Sequence, residues 1–181
     1  MCADKPGTEI VVAVSGGIAA YKAAALVSDL VQSGRHVSVV MTEAAHEFVG
    51  AATFAALTGR PVATRIFDER FPLGAHIELA RRADILCVVP ATADSIAKLA
   101  NGFAGDLLSA LYLCFTGKVL VAPAMNNEMW AKPSVQRNIE LLRQDGVTIV
   151  GPAEGWLSCR ERGFGRMESQ QTIRAAIDQL S

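Results

Sequence analysis

Apolar residues follow two rhythms along this chain, and the alternation between them lays out a stack of strands and helices. Glu9-Ile-Val-Val-Ala-Val-Ser15 is a nearly continuous apolar run that ends at Gly16-Gly17. Ala19, Ala23, Leu26, Val27 and Leu30 then recur at helical spacing until Gly34, which predicts strand, tight turn, helix. His36 to Thr42 supplies the next strand, and residues 43–58 read as a helical stretch closed by Gly59. Asp84 to Pro90 and Lys118 to Ala122 are two more apolar strands, and Val147 to Val150 a fifth. Helices are expected at about 95–101, 106–115 and 134–144, with Val135, Ile139 and Leu142 on one face of the last. A closing helix runs from about residue 169, with Ile173, Ala176, Ile177 and Leu180 as its stripe. Strands apolar on both faces belong in a parallel sheet covered by helices on both sides, so the expected class is an α/β three-layer sandwich.

One segment breaks both rhythms. Residues 151–167 contain four glycines and no periodicity. Long irregular segments in a compact domain are usually lids or binding loops. Trp156, Leu157, Phe164 and Met167 make this one too apolar for a free tail, so a lid is expected at 151–167.

Composition narrows the setting. At 181 residues the chain can build one sizeable core, and one domain over 1–181 is expected. With 51% hydrophobic and 19% charged residues it is poorer in charge than an ordinary monomer, which points to apolar surface buried between subunits. Seventeen basic and 18 acidic side chains, for a formal charge of −1, provide no field to gather nucleic acid, so a small-molecule substrate is expected. The start of the chain lacks the apolar run of a signal peptide, and no stretch is long and apolar enough for a membrane span. A cytoplasmic protein is therefore expected. Cys2, Cys87, Cys114 and Cys159 have no C-x-x-C spacing. Cys87 and Cys114 sit in apolar contexts and read as core thiols, whereas Cys159 lies among Ser, Arg, Glu and Gly. Three scattered histidines form no metal-binding cluster, and no metal is expected.

Candidate chemistry gathers where strands end. Ser15-Gly16-Gly17 ahead of a helix offers free backbone N–H groups without side-chain bulk, a sound phosphate cradle, although two glycines also suit a simple tight turn. Neither G-x-G-x-x-G nor G-x-x-x-x-G-K-[ST] is present. Thr42 closes the second strand, and Pro90-Ala-Thr-Ala-Asp-Ser95 closes the third with hydroxyls before a helix. All these loops would open on the carboxyl edge of one parallel sheet, where such folds bind ligands. Residues 122–130, Ala-Pro-Ala-Met-Asn-Asn-Glu-Met-Trp, end a strand with an amide pair, two thioethers and an indole.

That last segment resembles the P-x-M-N-x-x-M-W signature of the flavin-dependent cysteine decarboxylases, a homo-oligomeric family whose members act on phosphopantothenoylcysteine or on peptidyl cysteine. Ser15 to Lys22, Met41-Thr42, Pro90 to Lys98, Asn101-Gly102 and Asp106-Leu107-Leu108 are similar to further family stretches in the same order, over roughly 9–168. The resemblance implies a Rossmann-like, flavodoxin-like fold and FMN as cofactor. The phosphate would lie near Ser15, Gly16, Gly17 and Thr42, with ribityl and ring near Thr92, Ser95 and Asp106. Two departures stand out, Asp94 where the family often has Asn and Gly105 where it often has Asp. Asp94 is expected to point away from the cofactor or to cap the following helix.

The resemblance also assigns reacting groups. Decarboxylating an amide-linked cysteine needs an electron sink, and oxidising the thiol-bearing carbon to a thioaldehyde creates one. His76, in Gly74-Ala75-His76-Ile77, matches the family's active-site histidine, and imidazole is suited to take the thiol proton near neutrality. Asn126 can donate to the carboxylate without adding a charge that would hold it in the ground state. Ala124, Met125 and Met167 are expected to contact substrate, and Arg166 to bind substrate or close the lid. Met125, Met129 and Trp130 suit either dry walls or plain packing.

Leu157 to Met167 resembles the clamp motif L-A-C-G-x-x-G-x-G-R-M, which makes Cys159 the proton donor and favours 4′-phosphopantothenoylcysteine, giving 4′-phosphopantetheine for coenzyme A synthesis. Arg160 stands where that motif has glycine. The alternatives are a peptidyl-cysteine decarboxylase, which has less use for Cys159, and a non-catalytic flavin-binding regulatory subunit. A related prenyl-transferring flavoprotein would need an S-G-A-S/T-G first loop, which is absent. The family forms trimers, in some members gathered into dodecamers, with active sites between subunits. Because the chain ends at Ser181, a separate phosphopantothenate-cysteine ligase is expected to supply the substrate.

Overall fold

The backbone follows the apolar rhythm closely. In the computed structural model, which describes residues 8–181, five strands run parallel: β1 (Glu9–Val14), β2 (His36–Met41), β3 (Ile85–Ala91), β4 (Lys118–Pro123) and β5 (Thr148–Ile149). Their order across the sheet is β2-β1-β3-β4-β5. Alternate side chains of β1 enter opposite cores, Ile10, Val12 and Val14 on one face, Val11 and Ala13 on the other. Helices α1 (Ala20–Gln32), α2 (Ala51–Thr58) and α8 (Gln170–Leu180) cover the first face. The second is covered by α3 (Ala75–Arg82), α4 (Ala93–Ala100), α5 (Leu107–Cys114) and α7 (Pro133–Gln144). Helix α1 seals its face with Ala20, Ala23, Leu26, Val27 and Leu30, the stripe read from the sequence except at its start, where Ala20 takes the place of Ala19, the residue just ahead of the helix. Each large aliphatic side chain so buried contributes about 1.5–3 kcal/mol. The three-layer, flavodoxin-like sandwich is as expected.

Three local expectations change. The stretch 43–58 is not one helix: a 3-10 turn at Glu43–Glu47 is separated from α2 by Gly50, which caps α2 in an extended conformation. The turn is drawn inward against the β1–α1 loop, so closely that a Cβ on Gly16 would lie 2.3 Å from the Cβ of Ala44. The segment 151–167 is not irregular, since Ala153–Trp156 (β6) and Arg162–Arg166 (β7) pair as an antiparallel hairpin apart from the main sheet. Its glycines and exposed alternate residues hid the strand rhythm. Cys114 is exposed rather than in the core, because Leu107, Leu108 and Leu111 face inward and the helix ends at 114 as it leaves the sheet. Cys87 is fully buried, and burial pushes its thiol up to about 12. Cys2 lies outside the described residues. A four-residue helix, α6 (Asn127–Trp130), follows β4.

The sheet reverses its direction of growth between β1 and β3, and a buried hydroxyl holds that junction. Ser15 Oγ donates to the Pro90 carbonyl at 2.7 Å and accepts from the Thr92 amide at 3.0 Å. The Ser15 amide also donates to Pro90 O, at 3.3 Å. Proline has no N–H for a ladder and is tolerated in this central strand where the β3–β4 register shifts, between Val88 and Ala91. Ser15 is therefore a splice between two loops. Replacing it with alanine leaves the partly buried Thr92 amide unpaired and removes the buried bond to Pro90 O, so Ser15→Ala is expected to lower unfolding free energy by about 1–3 kcal/mol. Urea denaturation of the cofactor-free protein checks this, with a lower midpoint at unchanged slope as the expected result.

Candidate active site

A cavity of about 970 Å³ opens over the carboxyl ends of β1, β2, β3 and β4. Gly16, Gly17, Thr42, Thr92, Ser95 and Asp106 line it, as do Ala124, Met125, Asn126, Arg166 and Met167. Three expected residues are placed differently. Ser15 is 1% exposed beneath the wall, with its hydroxyl committed to the splice. His76 lies at the start of α3, outside the lining, and its Nδ1 is buried with no hydrogen-bond partner. Cys159 is exposed at the hairpin turn beyond the lining residues Trp156, Leu157 and Ser158.

One end of the cavity offers donors from which a phosphate could accept. The Gly16 and Ile18 amides donate to no protein acceptor among the described residues. Gly16 also has no room for a side chain against Ala44. Thr42 Oγ1 is buried without a partner in the same wall. A buried hydroxyl left unpaired, as that of Thr42 is, is rare unless something completes it. A phosphate monoester there would accept from the amides and the hydroxyl.

The middle of the wall is fixed by caps. Thr92 Oγ1 caps α4 by accepting from the Ser95 amide at 3.3 Å, and the two hydroxyls lie 3.2 Å apart. Asp106 caps α5 in a reciprocal box with Ser109, accepting its amide and its hydroxyl, each at 2.8 Å, on Oδ1. Its Oδ2 meets Lys98 Nζ at 3.0 Å. Burial pushes the Asp106 carboxyl up, but the Ser109 amide, the Lys98 ammonium and the Ser109 hydroxyl outweigh it and hold the group below its ordinary range. Asp94, in the first turn of α4, pairs with Lys98 at 2.8 Å and does not cap the helix. Its carboxylate is thus neutralised at the rim. The two carboxylates, Asp94 foremost, hold the Lys98 ammonium above its ordinary range. A Cβ on Gly105 would meet nothing within 4 Å, so the glycine there is not required by space.

The far end couples Asn126 to the hairpin. Asn126 Oδ1 caps α6 by accepting from the Met129 amide at 2.8 Å, which leaves Nδ2 as a free donor in the cavity wall. The Met125 amide donates to the Gly165 carbonyl at 2.9 Å, docking β7 against this loop. The approach demands glycine: a Cβ at Gly165 would sit 2.2 Å from Met125 O, and its φ is 139°. At the hairpin turn Arg160 has a φ of 65°, left-handed backbone that disfavours a side chain by about 1–2 kcal/mol. Ile18, Tyr21 and Lys22 also line the cavity and carried no assigned role from the sequence, although Tyr21 lies one helical turn beyond Gly17. Glu43, Ala44 and Glu47 arrive with the 3-10 turn, which the expected helix had hidden. Among the described residues no group of three His, Cys, Asp or Glu stands together to hold a metal, and no helix is long and apolar enough to cross a membrane.

The profile of the flavoprotein family matches residues 2–181. The chain belongs to that family. This flavoprotein is 48% identical over 165 residues to the coenzyme A biosynthesis bifunctional protein CoaBC of Bacillus subtilis (strain 168), with 91% of this chain and 41% of that protein aligned. It therefore spans about two fifths of the length of the curated relatives it matches. The crystal structure of the FMN-dependent cysteine decarboxylase SpaF superposes with a TM-score of 0.83 at 32% identity, covering 97% of this chain and 98% of SpaF. A cysteine-to-serine variant of a PPC decarboxylase, complexed with pantothenoylaminoethenethiol, superposes with a TM-score of 0.85 at 26% identity over 96% of this chain and 97% of its own.

The capped carboxylate makes this flavoprotein's acid stability predictable. Asp106 is depressed below its ordinary 3.8, so its contribution is fully present above about pH 4 and is lost as pH falls through its lower folded value. Lys98→Met removes one of the groups that depress it. The variant's loss of stability relative to the parent should be largest near neutrality and shrink toward about pH 2, as followed by urea denaturation across that range.

Proposed function

We propose that this flavoprotein binds FMN and decarboxylates 4′-phosphopantothenoylcysteine to 4′-phosphopantetheine, a step of coenzyme A synthesis. The observation that supports the reading best is that the β6–β7 hairpin, whose turn carries Cys159 just beyond the lining residue Ser158, docks onto the Met125–Asn126 loop of the cavity that Gly16, Gly17 and Thr42 also line. FMN would be held by Gly16, Gly17, Thr42, Thr92, Ser95 and Asp106, and its chemistry is to take a hydride from the thiol-bearing carbon and later return it. This chain's residues do the rest. Asn126 Nδ2 donates to the substrate carboxylate, which orients it while leaving it free to depart as carbon dioxide. The thiol proton goes to a histidine as the carbon–sulfur bond becomes double. Loss of carbon dioxide leaves an enethiolate, and the Cys159 thiol protonates its α carbon. That step restores a thioaldehyde, which takes back the hydride at carbon and the histidine's proton at sulfur and so ends as the saturated thiol. Solvent reprotonates Cys159.

His76 lies outside its own chain's cavity, so we assign it to the cavity of a neighbouring copy. Its unpartnered Nδ1 supports this, as do Phe67, 91% exposed, and Leu73, 62% exposed, on the loop leading to α3. Trimers, alone or gathered into dodecamers, would supply such neighbours. One second reading is decarboxylation of a peptide's C-terminal cysteine, the other substrate class of the family the sequence resembles, and the likeness to SpaF, a cysteine decarboxylase, keeps it in play. Mass analysis after aerobic incubation with each substrate separates the two. Loss of one carbon dioxide from the phosphorylated substrate, with a saturated product and little change in the peptide, is expected.

Two substitutions test the roles. Aspartate caps a helix as well as asparagine, so Asn126→Asp should fold normally yet lose the donor and repel the carboxylate. Its kcat/KM is expected to fall about a hundredfold or more, and an unchanged value would remove the contact. Cys159→Ser should release a product two mass units lighter than the saturated thiol, with flavin left reduced before air reoxidises it. Saturated product at the parent rate would remove Cys159 as donor.

A further inference from the structure

Arg160 occupies a backbone position made for glycine. The Arg160 amide donates to Leu157 O at 3.0 Å and the Leu157 amide to Glu161 O at 2.9 Å, closing a three-residue hairpin loop whose last residue is left-handed. Such loops take glycine at that place because a Cβ crowds the backbone. Among the described residues Arg160 is the only one other than glycine with a positive φ. Strained side chains persist where they serve a site. This one serves no structural contact, being exposed and absent from every ion pair among the described residues.

Its location gives the charge a target. Trp156, Leu157 and Ser158 line the cavity, and Cys159 and Arg160 follow directly at its lip. A substrate whose cysteinyl end reaches Asn126 can extend past this lip, and in the proposed reaction its other end is a phosphate monoester. Guanidinium suits that group by charge and by its fork of donors. We infer that Arg160 is a specificity-determining residue that selects the phosphorylated substrate by pairing with its phosphate outside the cavity. The inference rests on the proposed function and adds to it the residue that reads the far end of the substrate. A different use of the same charge, closing the hairpin onto Glu43 or Glu47 across the cavity, would help all substrates equally.

The experiment compares kcat and KM for 4′-phosphopantothenoylcysteine and for unphosphorylated pantothenoylcysteine in the FMN-loaded parent, Arg160→Gln, Arg160→Gly and Arg160→Lys. Both uncharged variants should raise KM for the phosphorylated substrate about tenfold and narrow the preference between substrates by the same factor. Lysine should keep most of the preference. Glycine should also raise the thermal midpoint by relieving the turn, which shows that the lost preference is not a folding defect. An unchanged preference in Arg160→Gln, or an equal rise in both KM values, overturns the inference while leaving the function standing. A parent protein that decarboxylates neither compound overturns the function and the inference with it.

Discussion

A single buried hydroxyl holds together the place where the site is built. At the junction of β1 and β3 the chain must grow the sheet in both directions, so the two loops leaving these strands diverge and open a crevice. Ser15 bridges them by donating to Pro90 O and accepting from the Thr92 amide. The bond sets the separation of the glycine turn before α1 from the hydroxyl-bearing cap of α4. On one side of it stand the open amides of Gly16 and Ile18, and on the other Thr92 and Ser95. The cavity keeps its width because its floor is spliced.

The opposite wall depends on close approach. Gly165 lets β7 lie against the Met125 carbonyl, and Gly163 lets it pass Asn127, whose Cβ would lie 2.9 Å from an added Cβ. That contact turns a two-stranded hairpin, marginal by itself, into part of the site. Asn126 divides its amide in the same place, with Oδ1 capping α6 and Nδ2 donating to no group among the described residues. Charge is handled by pairing. Lys98 sits between Asp94 and Asp106, so the carboxylate that departs from the family pattern is balanced by a neighbouring ammonium.

Much of this was legible in the residues. Continuous apolar runs revealed the strands because β1 and β3 are buried on both faces and β2 and β4 over most of their length, and the α1 stripe emerged from Ala23 onward. Glycine and hydroxyl residues after three strands marked the cavity, since parallel strands deliver their carboxyl ends to one edge. The hairpin was missed because β6 and β7 bury one residue between them, Gly165, and so lack an apolar period. Cys114 was misplaced because helical apolarity does not reveal where a helix end leaves the core.

By itself the sequence determined the layer order, the carboxyl-edge location of the chemistry and the side chains available there, because periodicity and turn residues are local properties. Only the tertiary structure decided which of those side chains share a cavity. It committed the Ser15 hydroxyl to the floor, left Nδ2 of Asn126 open to a ligand and kept His76 out of its own chain's cavity. It also left Arg160 at the lip, in a conformation glycine would prefer. The physical reason is that hydrogen-bond partners and close backbone approaches are set by which loops meet in space, and residues 15, 90, 126 and 165 meet only after the sheet has formed.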